Sequence, residues 1–259
     1  MRVHAVQFNI AWEDKAANFA KVRRMLAEHS PGANSLIVLP EMFATGFSMN
    51  VGRVAEPPRG ETHAFLSALA AEWKSYVIGG VATDAGGDKA RNEALLFDPE
   101  GQEIARYLKQ QPFTLGGERD RYEAGTRHVL ATCDEFSVAP LICYDLRFPE
   151  LFRAAARDGA QVFAVIANWP RPRDAHWLHL LRARAIENQA YVVGVNRCGN
   201  DPRLVYRGQS LIVDPYGNTL AEAGEDEQLL SAELDMKELV DYRRKFPALA
   251  DMNAEHFRW

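Results

Sequence analysis

The feature that most constrains the fold of this chain is the alternation of short apolar runs with helical patterns. Runs rich in Val, Ile, Leu and Phe predict strands, and several are apolar on both faces, as in strands buried on both sides. These runs are VHAVQF, SLIVLP, YVIGGVAT, EALLFD, EIARYLK, SVAPLICYD, QVFAVIAN, YVVGVNR and SLIVDP. Helical patterns bounded by Gly, Pro or Asn signals extend over Asp14 to His29, Glu61 to Lys74, Pro149 to Asp158 and Asp174 to Gln189. Helices are therefore expected to cover sheets.

Two pairs of predicted strands are joined by tight turns, DPEG at 98–101 and DPYG at 214–217, and should run antiparallel. Strand–helix alternation combined with hairpins predicts an α/β protein with mixed sheets, in which two sheets pack face to face and helices cover the outer faces. No convincing linker divides the 259 residues, so 1–259 is interpreted as a single domain. Its C-terminal segment, about 237–259, is expected to form a tail that packs on the domain or on a neighbouring subunit.

Composition narrows the class of protein. Hydrophobic residues make up 47% of the chain, and the net charge of −5 comes without a Lys/Arg block, so nucleic acid is not an expected partner. The N-terminus lacks an apolar leader pattern and no run of about 18 apolar residues occurs, which predicts a cytoplasmic protein without a membrane partner. Cys133, Cys143 and Cys198 are odd in number and form no CxxC pair, so free thiols are expected, with Cys133 and Cys198 as buried structural residues.

Three residues at predicted strand ends carry groups suited to acyl transfer. Cys143 lies where an apolar run gives way to a helix, a place that can expose a nucleophilic thiol, although a strand cysteine taken alone is more often a buried hydrophobe. Glu41 follows SLIVLP, where partial desolvation would suit it to accept and return a proton, while a solvent-facing or Arg-paired carboxylate is an equal alternative. Lys109 ends EIARYLK and by itself is a weak signal. Amide hydrolysis needs a nucleophile, a proton acceptor and donor, and a positive oxyanion donor, which these three residue types supply together.

Histidine-based alternatives are poorer. None of the seven histidines lies in a cysteine-protease signature. His176 and His179 are three residues apart in a predicted helix, but no HExxH glutamate accompanies them. Packing or surface positions are therefore favoured over a metal site.

Three separated motifs resemble those of the nitrilase (carbon–nitrogen hydrolase) superfamily. LIVLPEMFATGF is similar to its glutamate block, RYLKQQPF to its lysine block and PLICYDLRFPEL to its cysteine elbow, in the family's order and spacing. ANWPRPRDAHWLHLLRARAIENQAYVVGVNRCG and YRGQSLIVDPYG are similar to the ω-amidase branch. The resemblance implies a four-layer αββα sandwich and hydrolysis of the terminal amide of α-keto acid amides such as 2-oxoglutaramate and 2-oxosuccinamate. It also implies no cofactor or metal, and a homodimer or homotetramer formed through the outer helices.

The same resemblance assigns roles to individual residues. It implies that Cys143 is the nucleophile, that Glu41 is the general base and acid, and that Lys109 stabilises the oxyanion. Family members place a second glutamate after the lysine block to orient the lysine or the substrate, and Glu118 matches that position better than Glu123.

One departure concerns the loop after the lysine. Many members carry a histidine two residues after the lysine, whereas this chain has Gln111 followed by Pro112. That histidine has none of the three chemical roles, so the departure bears on the loop geometry more than on catalysis.

A substrate that carries a carboxylate should be bound by a cation, and arginine suits planar bidentate recognition. Arg171 and Arg173 follow a predicted strand end, and Arg173 is the candidate we select, although a loop arginine is usually solvated. The backbone N–H of Tyr144 is expected to assist at the oxyanion, while Asp145 and Arg147 are expected to brace the turn.

Aromatic side chains are candidates for the pocket wall. Trp169, Phe47 and Phe113 are expected to wall the substrate pocket, although each could equally belong to the core. The alternatives left open are an amide hydrolase of the same superfamily that acts on N-carbamoyl amino acids, aliphatic amides or nitriles, and a non-catalytic binding protein on the same fold.

Overall fold

The computed structural model describes residues 1–253, so the last part of the predicted tail, 254–259, lies outside the described residues. The strands are β1 (Arg2–Gln7), β2 (Leu36–Val38), β3 (Tyr76–Gly86), β4 (Lys89–Phe97), β5 (Glu103–Leu108), β6 (Tyr122–Glu123), β7 (Ala131–Cys133), β8 (Phe136–Ile142), β9 (Val162–Ala167), β10 (Tyr191–Asn196), β11 (Cys198–Asn200), β12 (Val205–Arg207), β13 (Leu211–Val213), β14 (Thr219–Glu222) and β15 (Gln228–Glu233). The helices are α1 (Lys15–His29), α2 (Val51–Val54), α3 (Glu61–Trp73), α4 (Glu118–Arg121), α5 (Pro149–Arg157), α6 (Asp174–Asn188) and α7 (Met236–Lys245). Short 3-10 turns cover Thr114–Gly116, Cys143–Arg147 and Arg171–Arg173.

Two mixed sheets form the centre of the molecule. The first has the strand order β15-β1-β2-β3-β4-β5, with β6 added beside β4, and the second has the order β14-β13-β10-β9-β8-β7. In the first sheet β2 is parallel to β1 and β3, and in the second β9 is parallel to β8 and β10, while the remaining pairs in these two strand orders are antiparallel. The added strand β6 runs parallel to β4. The predicted hairpins correspond to β4–β5 and β13–β14.

The alternation of side chains along each strand builds the layers. In β1 and β2, Val3 and Leu36 face a core shared with the second sheet, whereas Val6 and Ile37 face a separate core under α1 and α3. The inter-sheet core continues beneath α5 and α6 through residues such as Phe152 and Trp177. The order of layers is therefore helices, sheet, sheet, helices, which confirms the predicted αββα sandwich.

The sequence patterns located most of the regular structure. Every predicted run contains a strand, and the four long helical patterns correspond to α1, α3, α5 and α6. The helix limits follow from local chemistry, since Asp14 caps α1 by accepting a hydrogen bond from Ala17 N and Pro149 begins α5. The patterns did not reveal β15, which pairs with β1 from Arg2↔Glu233 to Gln7↔Gln228 and covers that edge of the first sheet.

The described part of the tail packs on its own domain. Arg243 in α7 donates hydrogen bonds to the carbonyl oxygens of Gln189 (2.9 Å) and Ala160 (2.8 Å), and Gln189 Nε2 donates to Phe246 O (2.8 Å). Leu239 in α7 is fully buried, in the apolar cluster that also contains the core residues of α5 and α6. No helix within residues 1–253 is long and apolar enough to cross a membrane.

Strand direction places the chemistry-bearing residues together. Because β4 reverses between β3 and β5, strands β2 and β5 point the same way, and Glu41 and Lys109 follow their carboxyl ends. In the second sheet Cys143 and Asn168 follow the carboxyl ends of the parallel strands β8 and β9. The two sheets meet at this end, since Asn168 N donates to Glu41 Oε2 at 2.8 Å. Ligand sites of α/β proteins lie outside the carboxyl ends of strands.

Candidate active site

A cavity of about 730 Å³ opens at the carboxyl ends of these strands. Glu41, Lys109 and Cys143 line its floor together with Asn168. These side chains come from four different strand ends, two in each sheet, so the cavity exists only after the sandwich has formed.

Lys109 is held between two carboxylates in the buried interior. Its Nζ donates to Glu41 Oε1 at 2.9 Å and to Glu118 Oε2 and Oε1 at 2.9 and 3.1 Å. The ring of Phe47 covers the ammonium group, with Nζ 5.2 Å from the ring centroid. Burial by itself lowers the pKa of Lys109, but the charges of Glu118 and Glu41 outweigh it and hold that pKa well above the usual value. Lys109 therefore carries a fixed positive charge.

Glu118 lies behind the lysine and not on the cavity surface. It is fully buried, and its Oε2 also accepts a hydrogen bond from Phe113 N at 2.6 Å. Its predicted rival Glu123 lies elsewhere, where it accepts from Arg91 Nε at 2.8 Å with its side chain 39% exposed. The structure thus brings Glu118 and not Glu123 to Lys109, in the position of a residue that orients the lysine.

Two asparagines that sequence reasoning did not assign complete the cluster. Asn92 on β4 donates through Nδ2 to Glu41 Oε1 (2.7 Å) and to Glu118 Oε1 (2.8 Å), which joins the two carboxylates. Asn168 donates its backbone N–H to Glu41 Oε2 and its Nδ2 to the Glu41 carbonyl oxygen at 2.7 Å. The signal for Asn168 was present, since it is the first polar residue after an entirely apolar run. Nothing local distinguishes Asn92 from a solvent-facing strand residue.

Cys143 occupies a strained turn between β8 and α5. Its φ is +46°, in the left-handed region that residues with a Cβ seldom adopt. Asp145 supports this turn by accepting hydrogen bonds from Ile142 N (3.0 Å) and Tyr107 Oη (2.8 Å) on one oxygen. The predicted bracing role of Asp145 therefore has a structural basis. The turn aims the thiol into the cavity, as a nucleophile on a tight strand-to-helix turn requires.

The other carboxylate oxygen of Asp145 connects the Cys143 turn to the loop after Lys109, in which Gln111 stands where many family members have a histidine. It accepts a hydrogen bond from the backbone N–H of Gln111 at 2.9 Å. Because the main chain of Gln111 makes this contact, the path of the loop after Lys109 does not require a histidine side chain at that position. Burial raises the pKa of Asp145 to about 7, against the opposing effects of Lys109 and the hydrogen bonds that it accepts.

The resting thiol is protonated. Burial raises the pKa of Cys143 well above its usual value, and the nearby charge of Glu41 raises it further, against a smaller opposing effect of Lys109. A thiol in this state needs a neighbouring base to become a nucleophile. Glu41 provides a buried carboxylate on the same cavity floor.

Two arginines line one wall of the cavity. Arg173, the predicted cation, lies with its guanidinium carbon 5.3 Å from the Phe113 ring centroid. Arg147 was expected to brace the turn, but it lines the cavity too, with its guanidinium carbon 4.8 Å from the centroid of Trp169. Burial, followed by the charge of Arg173, lowers the pKa of Arg147. Glu13 and Asp201 also line the cavity. Arg171 is exposed and does not line the cavity.

The predicted aromatic residues all contact the cavity. Phe47, Phe113, Tyr144 and Trp169 line it, and the rings of Phe113 and Tyr144 lie 5.0 Å apart. Trp169 is nearly buried and its indole N–H donates to Arg173 O at 2.7 Å, which fixes the loop that carries the arginine.

The residues set aside from the sequence lie outside this site. Cys133 and Cys198 are buried, and burial raises their pKa values to about 12 and about 11. His176 and His179 are exposed on α6, and Arg147 Nη2 lies 3.1 Å from His176 Nδ1.

The arrangement can perform amide chemistry. It places a protonated thiol, a buried carboxylate and a fixed lysine charge around one cavity floor, and these groups supply a nucleophile, a proton carrier and an oxyanion donor. The cationic wall would bind an anionic part of the same ligand.

Comparisons with known proteins point the same way. The family model described as carbon-nitrogen hydrolase matches residues 2–244. The 2-oxoglutaramate amidase of Bacillus subtilis (strain 168) is 33% identical, with 98% of each chain covered. Omega-amidase YafV of Escherichia coli (strain K12) is 37% identical, over 100% of this chain and 98% of the relative. Among solved structures, XC1258 of Xanthomonas campestris, a CN-hydrolase superfamily protein with an arsenic adduct in its active site, has a TM-score of 0.91 and 32% identity over 98% of this chain and 97% of its own.

Proposed function

This chain belongs to the carbon–nitrogen hydrolase family and is an amidohydrolase, and we propose that it releases ammonia from the terminal amide of small α-keto dicarboxylic acid ω-amides such as 2-oxoglutaramate and 2-oxosuccinamate. The observation that carries the proposal is the convergence of Glu41, Lys109 and Cys143 on one cavity floor, below a wall with two arginines. The similarity to ω-amidases over the whole chain supports the choice of substrate.

In the proposed first half-reaction, Glu41 accepts the thiol proton of Cys143 as the sulfur attacks the amide carbon. The carbonyl oxygen becomes an oxyanion, which Lys109 and the backbone N–H of Tyr144 stabilise. Glu41 then gives its proton to the amide nitrogen, the C–N bond breaks, and ammonia leaves a thioester on Cys143. Glu118 acts as a positioning residue, because it reaches the reaction through Lys109.

In the proposed second half-reaction, Glu41 removes a proton from a water molecule that attacks the thioester. The tetrahedral intermediate uses the same oxyanion donors, and its collapse breaks the C–S bond. Glu41 returns the proton to the sulfur, which restores the thiol and releases the carboxylic acid. This sequence predicts ping-pong kinetics.

The substrate's distal carboxylate is proposed to bind Arg173, with Arg147 beside it. Each guanidinium group lies over the face of an aromatic ring, and this contact orients the group. Its N–H groups point along the edge of the guanidinium plane and are not used in the contact with the ring. A bidentate pair between arginine and carboxylate is a strong, charge-assisted contact. The α-keto oxygen and the carboxylate together would then be bound away from the reacting amide.

Ammonia release from 2-oxoglutaramate tests the catalytic assignment. We expect Cys143→Ala, Cys143→Ser and Glu41→Gln each to lower kcat by at least about 100-fold, while Cys133→Ser and Glu123→Gln retain turnover. Mass spectrometry should find iodoacetamide on Cys143 before the two buried cysteines. Near-normal turnover by any of the three site variants would refute the assignment.

We also propose a cytoplasmic homodimer or homotetramer. The three cysteines are free, which suits a reducing compartment. Ile186 on α6, Val240 on α7 and Tyr216 are exposed apolar side chains of the outer helical layer and its turns, as a subunit interface of that layer would use. Light scattering on the wild type and on Ile186→Glu measures the assembly, and a monomeric wild type would contradict this proposal.

A further inference from the structure

The mouth of the active-site cavity has an apolar rim, formed by Trp12, Leu115 and Leu204. All three side chains line the cavity and are exposed, by 36%, 88% and 39% respectively. Each belongs to a different loop, so three separate segments contribute an exposed apolar side chain to the same cavity. Exposed apolar side chains that share one pocket mark a binding surface more often than a scattered exposed residue does.

The backbone beneath Leu204 is fixed. Asp201 Oδ1 accepts hydrogen bonds from Arg203 N and Leu204 N, both at 2.7 Å, and its Oδ2 accepts from Tyr206 Oη at 2.6 Å. Tyr206 in turn lies under the buried Arg197, with the guanidinium carbon 4.5 Å from its ring centroid. The hairpin β11–β12 therefore presents Leu204 in one place.

The other two rim residues are held by local contacts. The Trp12 ring packs on Gly46, where an added Cβ would meet it at 3.1 Å. Leu115 is the middle residue of the 3-10 turn Thr114–Gly116, which is closed by Gly116 N donating to Phe113 O at 3.1 Å. Backbone that is hydrogen-bonded in advance, as at Leu115 and Leu204, has less conformational entropy to lose when a ligand binds.

The volume of the cavity indicates what the rim contacts. Pockets of about 300–1,000 Å³ enclose drug-sized ligands, and a cavity of about 730 Å³ is therefore large for a small dicarboxylic acid monoamide alone. The substrate amide must reach Cys143 on the floor, and a longer acyl chain would extend from there towards the mouth. A second protein copy seated on the rim would instead close this opening to substrate.

We propose that Trp12, Leu115 and Leu204 form an outer subsite that binds the apolar far end of an extended acyl chain. The enzyme then also hydrolyses primary amides whose acyl group ends in an aromatic ring or a branched aliphatic group. This inference rests on the proposed function, because the amide bond is broken at Cys143 by the same steps.

The test measures ammonia release from a series of ω-phenylalkanamides of increasing chain length, each compared with the analogue that carries a terminal hydroxyl group in place of the phenyl ring. In the wild type, kcat/KM for the phenyl compound should exceed that of its partner by at least about tenfold at the best chain length. This ratio should fall by about tenfold in Leu115→Ser and in Leu204→Ser, because each removes an apolar contact. Ile104→Ser is the matched control, since Ile104 is 38% exposed and lies outside the cavity, and it should keep the wild-type ratio.

A second measurement does not need turnover. Calorimetry with Cys143→Ala should detect ω-phenylalkanoic acids binding more tightly than the hydroxyl-terminated acids, and Leu115→Ser in that background should remove the difference. The inference would be overturned if kcat/KM were equal for the two amide series, or if neither leucine variant changed the ratio. Continued turnover of 2-oxoglutaramate would in that case leave the proposed function intact. The inference would also be overturned if light scattering showed that Leu115→Ser dissociates an oligomer while the ratio of kcat/KM values stays unchanged. The rim would then be a subunit contact. Loss of turnover on all amides would refute the proposed function itself.

Discussion

Replacing Glu118 by Gln should lower turnover and yet make the thiol of Cys143 easier to ionise. Glu118 does not line the cavity, and its effect on the reaction passes through Lys109, to which it is bonded at 2.9 and 3.1 Å. Its negative charge also contributes to the raised pKa of Cys143. The substitution keeps the shape of the side chain and removes only that charge.

The size of the expected fall in kcat follows from the distance between Lys109 and Glu118. A pair of unit charges 2.9 Å apart at an effective dielectric constant of 20 interacts by about 6 kcal/mol. Glutamine retains a hydrogen bond and Glu41 remains as a counter-ion, so only part of this interaction is lost. Misplacing an oxyanion donor costs about 100- to 1,000-fold in rate, and we expect kcat to fall about 100-fold, at the lower end of that range.

The thiol should respond in the opposite direction. Without the negative charge of Glu118 the pKa of Cys143 falls, so more thiolate is present at any pH below that pKa. The rate of iodoacetamide alkylation at pH 8 should therefore rise, and its pH profile should move to lower pH. The two assays, ammonia release and alkylation followed by mass spectrometry, are run on the same preparation.

Glu123→Gln is the control, because Glu123 is paired with Arg91 away from the cavity. It should leave both turnover and alkylation within about twofold of the wild type, as expected for an exposed pair. If Glu118→Gln slowed alkylation in proportion to turnover, the substitution would have damaged the site as a whole. If it changed turnover by less than twofold, Glu118 would not be the residue that positions the lysine.

Three further predictions concern the substrate wall, the cysteine turn and the packing beneath the general base. Arg173→Ala should raise KM for 2-oxoglutaramate about 10- to 100-fold, which corresponds to the free energy of a charged hydrogen bond, and should leave KM for an amide without a carboxylate unchanged. Equal effects on both KM values would exclude a role in carboxylate binding. Tyr107→Phe removes a hydrogen bond that favours ionised Asp145, so the pKa of Asp145 should rise above about 7. Activity should therefore fall at pH 7 and recover by pH 9, and a parallel loss at both pH values would contradict this reasoning. Gly80→Ala would place a Cβ 2.7 Å from Glu41 Cα and should cost about 1–3 kcal/mol, seen as a lower Tm and lower turnover, whereas an unchanged Tm would show that the site can expand.

Local patterns were sufficient to predict most of the strands and helices. Apolar runs and capping or turn residues act over a few residues, so their meaning does not depend on the rest of the chain. The run containing Val162–Ala167 became a fully buried strand between two parallel neighbours, as its uninterrupted hydrophobicity predicted. By contrast β15 is an edge strand with both faces partly exposed, and its register with β1 depends on a partner more than 200 residues away.

The candidate site likewise contains residues that the sequence predicted and one residue that only the structure could select. Glu41, Lys109 and Cys143 were candidates from the sequence because each ends a predicted strand and because three motifs resembled one family. Sequence could not say which glutamate after the lysine block reaches Lys109, since the choice between Glu118 and Glu123 depends on how the loop folds over the first sheet.

What the sequence determined by itself was most of the strands and helices and the residues with suitable chemistry, which follow from periodicity, turn residues and motifs. The αββα class followed from the mixed-sheet pattern together with the family resemblance. Only the tertiary structure decided that Asn92 and Asn168 hold Glu41, that Asp145 ties the cysteine turn to the lysine loop, and that Arg147 joins the cationic wall. The physical reason is that these contacts join residues from different strands of one sheet, from different sheets or from widely separated loops. Their geometry is fixed by strand pairing and by the packing of the two sheets against each other, which no local sequence pattern specifies.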